Sequence, residues 1–224
     1  FEDAVRDFLK MFPKRIDEYE ALLTKNPLLL DRLLGIGYLT KEQALSYSVT
    51  GPILRASGVD WDLRKKRPYM GYEQYDFNVP VRTEGDNYAR YLVRVQEMRE
   101  SMKIIEQALD KLPMGPVRSS NRKFVPPPRS EIGTSMEALI HHFKLWTEGF
   151  DAPNGGIYQA VEGPRGELGV YLEGDGGPKP YRVHMRTPSF DNLAALPEMA
   201  KGHLVADLIA IIGSIDFVLG DIDR

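Results

Sequence analysis

The sequence predicts an α+β fold in which long packed helices accompany a small antiparallel β-meander near the C-terminus. Within residues 86–112, apolar residues recur three and four apart, which predicts one long helix with a heptad seam made of Tyr88, Tyr91, Val95, Met98, Met102, Ile105, Leu109 and Leu112. Short runs at 157–161, 167–172 and 181–186 are separated by Gly- and Pro-rich turns, which is typical of hairpin-connected strands. Helices grouped before a run of strands favour α+β over alternating α/β.

Composition restricts the class of protein. The chain has 224 residues, is 42% hydrophobic and 27% charged, and carries a net charge of −3, which is enough for one large globular domain or two small ones. Because there is no basic excess, nothing indicates a nucleic-acid partner. The absence of cysteine excludes disulfides, cysteine-bound zinc and an iron–sulfur cluster held by this chain alone.

The chain reads as one structural unit that is a fragment of a longer polypeptide. It lacks an initiating Met, and Phe1 already lies on an apolar helical face. We expect three parts along the sequence: a helical part at 1–112, with an irregular loop at 50–80 and a long helix at 86–112; a Pro-rich linker at 113–133; and a part at 134–224, with a helix, the β-meander (155–187) and a tail helix.

Local signals predict where elements begin and end. Residues 1–25 read as a helix that Pro13 bends or breaks. Thr40 is expected to cap the next helix, and Asp86 the long one. Alternating apolar residues at 75–81 predict a strand, and Pro80 places that strand at an edge.

Several charged residues have two open interpretations. Four of them alternate in the irregular loop: Arg55, Asp60, Asp62 and Arg64. They either pair with one another in a structural loop or offer an arginine or aspartate to a partner or cofactor. Arg90 and Arg94 lie one turn apart on the long helix, where we expect a solvated face unless an anion or carboxylate lies opposite.

Histidines do not predict a metal site. His141 and His142 are adjacent, so on a helix they point about 100° apart. A helical metal pair needs a spacing of four residues, and we therefore favour core or interface histidines.

The most apolar run is the last one, from His203 to the chain end, and it contains four aspartates. We expect this run to be buried as a helix. Buried carboxylates are paired, protonated or functional.

Several strings along the chain resemble one family, the D-type subunit of the proton-translocating NADH:quinone oxidoreductase, respiratory complex I. They are GPILRASGVDWDLRK, YARYLVRVQEMRESMKIIEQAL, SMEALIHHFKLWTEGF, GELGVYL, PYRVHMRTPSF and GSIDFVLGDIDR. The resemblance runs nearly from end to end and is to the C-terminal part of that family's chain. It implies the fold of the related nickel–iron hydrogenase large subunit.

The tail bears on the hydrogenase relationship. A mature hydrogenase large subunit ends in D-P-C-x-x-C-x-x-H. In this comparison Asp216 takes the aspartate position, Val218 and Asp221 take the two cysteine positions, and Arg224 takes the histidine position. Soft thiolates hold such a metal centre, so the resemblance implies that no metal is bound here and excludes hydrogenase activity.

The resemblance implies an enzyme that works only within its complex. Quinone is the substrate, and electrons come from a partner iron–sulfur subunit beside the quinone site. FMN and the iron–sulfur clusters are expected on partner subunits, with no cofactor bound by this chain. A membrane subunit at the quinone entrance is a further expected partner, and the location is peripheral, on the cytoplasmic side of the bacterial inner membrane or the mitochondrial matrix side. The proton-donating tyrosine and histidine lie in the preceding part of the family's chain, so no catalytic residue is expected here.

Asp216 and Val218 match family positions implied to lie close to the quinone, and with Phe217 and Leu219 they form the predicted quinone-pocket set. Apolar neighbours would disfavour the charged form of Asp216 by desolvation. The alternative is that Asp216 only caps the helix or pairs with Arg224 or Arg55. Asp221 and Arg224 are expected to be structural. For the whole chain, the alternative is a non-catalytic scaffold or assembly module of a hydrogenase-like complex.

Overall fold

A computed structural model describes residues 1–223 of the chain and confirms the α+β class. The polypeptide forms two compact units. The first unit contains residues 1–112 and 160–169 and the chain from Arg186 onward, and the second contains residues 113–159 and 170–185. The three-part division of the sequence stays a prediction.

Helices make up most of the first unit. In chain order they are α1 (Glu2–Tyr19), continued by a π-helical turn (Glu20–Thr24), α2 (Pro27–Leu33), α3 (Lys41–Ser46), α4 (Pro52–Ala56), α5 (Leu63–Lys66), a 3₁₀ turn (Tyr72–Gln74), α6 (Asn87–Asp110), α9 (Pro188–Ala194), α10 (Leu196–Ala200), α11 (Val205–Ile215) and α12 (Leu219–Asp223). The second unit contains α7 (Arg129–Ile132) and α8 (Met136–Thr147). Among residues 1–223, no helix is both long enough and apolar enough to cross a membrane.

The predicted β-meander is confirmed. Strands β1 (Gly155–Gly163), β2 (Gly166–Gly174) and β3 (Arg182–Arg186) form one antiparallel sheet in the order β1-β2-β3. Residues 164 and 165 connect β1 to β2, so the tip of this hairpin belongs to the first unit.

Two local predictions are confirmed by capping contacts. Thr40 Oγ1 accepts a hydrogen bond from the Gln43 amide, and Gln43 Oε1 accepts one from the Thr40 amide, which completes a capping box. At the start of α6, Asp86 Oδ1 accepts from the Ala89 amide at 2.8 Å. Its second oxygen accepts from the Gly35 amide, so the cap also holds a neighbouring loop.

Of two further local predictions, one is wrong. Helix α1 runs through Pro13 to Tyr19, so the proline does not break the helix, and a bend there stays a prediction. Residues 75–81 do not form a strand. Two of their amides donate to side chains of α6 instead, since Gln107 accepts from Asp76 and Glu100 accepts from Asn78.

The buried face of α6 differs from the predicted heptad seam. Ala89 and Val93 pack with Ala56 of α4, and small side chains there allow the two helices to approach closely. Arg90 is also fully buried, so the expectation of a solvated face is wrong at this position. Of the seam residues, Val95 and Leu109 are the buried ones.

The core of the first unit joins the middle of the chain to its end. Its buried members are Leu39, Ala44, Val49, Ile53, Leu54, Ala195, Met199, Ile211 and Ile215. Helix α11 contributes one face to this core, whereas Val205 and Ile209 on the same helix are exposed. The expectation that the whole apolar tail is buried is therefore wrong.

The tail is also not a single helix. It breaks after Ile215, where Asp216 takes a left-handed backbone conformation with φ 55° and ψ 46°, and α12 begins at Leu219. Left-handed backbone is uncommon outside glycine, and aspartate is among the side chains that tolerate it best. The break places the segment 216–218 between two helices.

Candidate functional site

The candidate site is the break between α11 and α12. Asp216 ends α11, and its side chain is 48% exposed. Two guanidinium groups lie near its carboxylate: Arg94 Nη1 at 3.6 Å and Arg165 Nη2 at 3.7 Å. Neither the pair with Arg55 nor the desolvated carboxylate expected from the sequence is found, because Arg55 binds other carboxylates and Asp216 is half-exposed. Arg224 lies outside the described residues.

The three apolar residues after Asp216 separate into two groups. Phe217 is half-buried and packs against the core of the first unit. Val218 and Leu219 are 42% and 69% exposed and stand on the outer surface. The predicted pocket set is therefore contiguous in the structure, with one member turned inward and three members accessible.

Arg165 reaches Asp216 from the β1–β2 turn. Its Nε donates to the Asp216 carbonyl oxygen at 2.6 Å. The turn is itself anchored, because the Arg165 carbonyl accepts from Asn192 Nδ2 and the Thr50 amide donates to Asn192 Oδ1. The close approach of the chain at Gly51 leaves no room for a side chain there, since a Cβ would lie 2.6 Å from the Arg165 carbonyl oxygen.

Arg94 and Arg90 reach the same place from α6. Arg94 Nη2 donates to the carbonyls of Ser214 and Ile215 at 3.1 and 3.4 Å. Burial lowers the pKa of the Arg94 guanidinium, and the Asp216 carboxylate opposes that shift. Arg90 Nη1 donates to Ser214 Oγ at 3.0 Å, and burial lowers the pKa of Arg90 to about 10.

A second cluster of charges surrounds Arg55 in the irregular loop. Its guanidinium lies 2.7 Å from Glu97 and from Glu162 and 4.0 Å from Asp62. Arg64 pairs with Asp62 at 2.6 Å, and Asp60 pairs with Lys66. Pairing of the loop charges with one another is thus confirmed for Arg55, Asp62 and Arg64.

Burial acts on the pKa values of this second cluster. Burial alone would lower the pKa of Arg55, but the Glu97 and Glu162 carboxylates outweigh it and raise that pKa. For Glu162, burial raises the pKa of the carboxyl group despite the nearby Arg55. One guanidinium shared among three carboxylates compensates each of them only in part. The cluster lines a cavity of about 540 Å³ whose apolar side includes Phe12 and Met102.

Two other aspartates of the tail, Asp207 and Asp221, have structural contacts. Asp221 accepts a hydrogen bond from the Ser189 amide, which joins α12 to the start of α9. Asp207 is buried, pairs with Arg32 at 3.0 Å and accepts from the Leu204 amide.

His141 lies 3.7 Å from Glu137 on α8. Within residues 1–223, His, Asp and Glu side chains form no group of three or more suited to a metal ion.

Sequence patterns do not identify two of the residues at the break. Helical periodicity favours a solvated face for Arg94 and leaves an opposing carboxylate as the alternative, and that carboxylate proves to be Asp216. Arg165 has only its position in a Gly-Pro-Arg-Gly turn, which signals a turn and says nothing about what the arginine contacts.

Residues 1–223 thus form a mainly helical α+β fold with one small antiparallel sheet. A family model for the 49 kDa subunit of respiratory-chain NADH dehydrogenase matches residues 1–224, and the chain belongs to this family.

Individual relatives share most of this sequence. The chain is 60% identical over 227 residues to a D-type subunit of NADH-quinone oxidoreductase from Roseiflexus sp. (strain RS-1), covering 100% of this chain and 54% of that relative. It is 56% identical over 227 residues to the corresponding subunit of Chloroflexus aurantiacus, covering 100% of this chain and 55% of the relative. Identity to the corresponding subunit of Geotalea uraniireducens is 55% over 224 residues, covering 100% of this chain and 57% of the relative. The chain thus spans about half the length of these relatives.

Proposed function

We propose that this chain forms one wall of the quinone-reduction site in a proton-translocating NADH:quinone oxidoreductase. The observation that carries the proposal is the family match over the whole chain, which includes the tail. The geometry supports it, because the helix break exposes one carboxylate and two apolar side chains, Val218 and Leu219, within four consecutive residues. Ligand sites are typically built from apolar surface with a few polar groups that fix orientation.

In this proposal the chain binds and orients the quinone headgroup. Reduction of the quinone adds two electrons and two protons to give the quinol, and the protons come from the tyrosine and histidine in the preceding part of the family's chain. The electrons arrive from a partner iron–sulfur subunit, whose clusters and the FMN of the complex lie outside this chain. Val218 and Leu219 contact the ring, while Asp216, held between two arginines, accepts hydrogen bonds from the protonated product. The subunit is peripheral, on the cytoplasmic or matrix side, next to a membrane subunit at the quinone entrance.

Two substitutions test the proposal in the assembled enzyme. Asp216→Asn removes the charge while keeping a side chain that tolerates left-handed backbone. Val218→Trp adds bulk at an exposed position, where it does not disturb the core. Each substitution is expected to raise the KM for a short-chain quinone about tenfold, because a loss of about 1.4 kcal/mol in binding free energy is a tenfold loss of affinity. The matched control is Ile209→Trp, an exposed position earlier on α11.

Reduction of a hydrophilic artificial acceptor upstream of the quinone measures assembly and electron entry separately. The proposal expects this activity to stay at the wild-type level while quinone KM and inhibitor sensitivity change. Normal quinone affinity and inhibitor sensitivity in both variants would show that the tail is not part of the quinone site.

The alternative is a scaffold or assembly module with no part in the chemistry. It is favoured by the apolar surface of the second unit, where Trp146 is 72% exposed beside a cavity of about 840 Å³. An exposed apolar patch on a protein surface is typical of a site where another protein docks. A pure scaffold predicts that Val218→Trp either lowers the amount of assembled enzyme or has no effect, without changing the quinone KM of what assembles.

A further inference from the structure

The C-terminal end of α11 is held from outside by α6. The carbonyls of the last turn of a helix have no partner within the helix, and the helix dipole places partial negative charge there. Arg94 supplies both a donor and a positive charge at this end, through its contacts with the Ser214 and Ile215 carbonyls. One turn earlier on α6, Arg90 donates to the Ser214 hydroxyl.

Arg94 has a geometry that lysine could not reproduce. Its Nη2 donates to the end of α11, while its Nη1 lies 3.6 Å from the Asp216 carboxylate. A guanidinium can direct separate donors to two groups in one plane, whereas an ammonium is a single point charge. One side chain therefore fixes both the last helical turn and the residue that breaks it.

The backbone at Asp216 needs such support. A non-glycine residue in the left-handed region costs on the order of 1 kcal/mol, and it persists where surrounding contacts determine it. Arg165 holds the Asp216 carbonyl from the opposite side at 2.6 Å. If the break relaxed into continuous helix, the direction of Phe217, Val218 and Leu219 would change together, since side chains on a helix advance about 100° per residue.

We propose that Arg94 is a positioning residue of the quinone-site wall, holding the break at Asp216 so that Phe217 anchors in the core and Val218 and Leu219 face outward. It does not touch the substrate in this role. The inference rests on the proposed function, because positioning has a catalytic consequence only if the tail lines the quinone site.

The test compares Arg94→Met, Arg94→Lys and Arg99→Met in the assembled enzyme. Arg99 lies on the same helix, and its ion pairs are with Asp17 of α1 and Glu20 of the π-helical turn, not with residues of the tail. Arg94→Met is expected to raise the KM for a short-chain quinone about tenfold, because misplacing a binding wall weakens the productive complex. Reduction of the artificial acceptor should be unchanged. Arg94→Lys keeps the charge but loses the second donor, so an intermediate KM is expected, and Arg99→Met should match wild type.

Each outcome supports or overturns the inference. Equal KM values for Arg94→Met and Arg99→Met overturn it. If Arg94→Met fails to assemble, Arg94→Lys decides: an increase of about threefold or more in KM supports positioning, and a wild-type KM overturns it. If Val218→Trp changes the KM but both Arg94 variants do not, the inference fails and the proposed function stands. If none of these variants changes the KM, the proposed function fails as well.

Discussion

Replacing Arg55 by Met should destabilise the first unit far more than replacing an exposed arginine. Arg55 and Glu162 side chains are 2% and 3% exposed, and Asp62 is fully buried. Met has a similar length and leaves no large cavity, so the main effect is the loss of charge. The cations left near the three carboxylates would then be Arg64 and, for Glu97, Arg94.

The expected magnitude follows from what remains after the substitution. Removing one partner of a buried ion pair costs about 3–5 kcal/mol, because a buried charge is left uncompensated. A urea m-value of about 2–3 kcal/mol/M converts this cost into a decrease of roughly 1–2.5 M in the unfolding midpoint. The control is Arg99→Met, whose guanidinium and partner carboxylates keep access to solvent, so its loss should cost less than about 1 kcal/mol.

Tryptophan fluorescence can report the first unit alone. The chain has two tryptophans, and Trp61 lies beside the cluster, its carbonyl accepting from Arg55 Nη1 at 2.9 Å. In a Trp146→Phe background the signal comes from Trp61 only. A midpoint for Arg55→Met within error of that for Arg99→Met would refute the reasoning that this cluster is held by Arg55. Adding Glu162→Gln to Arg55→Met should recover part of the loss, since it removes one of the stranded charges.

Two further predictions use the same fluorescence assay. Gly51→Ala should destabilise the chain by more than about 2 kcal/mol, because Gly51 has φ 71° and a Cβ there would lie 2.6 Å from the Arg165 carbonyl oxygen. The control is Gly202→Ala, also at positive φ but with open space around it, which should cost about 1 kcal/mol. Equal costs for the two substitutions would contradict the close approach at Gly51. Because burial raises the pKa of Glu162, the folded state binds more protons than the unfolded state between the ordinary carboxyl range and that raised pKa, and this contribution to stability falls as pH rises through the interval. Glu162→Gln should remove this decrease, so the urea midpoint of the variant should converge on or pass that of the wild type as pH rises from about 4 to 8. Parallel midpoint-against-pH curves for the two proteins would contradict a raised pKa of Glu162.

Elements with strong local signals were predictable. The long helix α6, its Asp86 cap and the three strands all follow from spacing, capping residues and turn residues close together in sequence. The segment 75–81 was not predictable in this way, because alternation suggests a strand but cannot show whether a partner strand exists. Here α6 offers side-chain acceptors instead, through Glu100 and Gln107.

The burial of Arg90 was not predictable for a related reason. Arg90 is fully buried although charged residues are rarely found inside. Its burial is possible because the Gly37 and Gly85 carbonyls and the Asn87 side chain accept its hydrogen bonds. Two of those acceptors belong to loops whose positions depend on the whole fold, so helical periodicity assigns Arg90 to the wrong face.

The conformation of the candidate site depends on tertiary contacts more than on the local sequence. Nothing in the run Gly213 to Leu219 stops a helix as strongly as a proline would, and apolar composition alone favours a continuous tail helix. The break at Asp216 is held by Arg94 of α6 and by Arg165 of the hairpin turn, both distant in sequence. Because those two arginines come from separate elements, the direction of Val218 and Leu219 depends on how α6, the hairpin turn and α11 pack together. A substitution that moves any of the three elements should therefore alter the candidate quinone-site wall, even where it touches none of the wall's own residues.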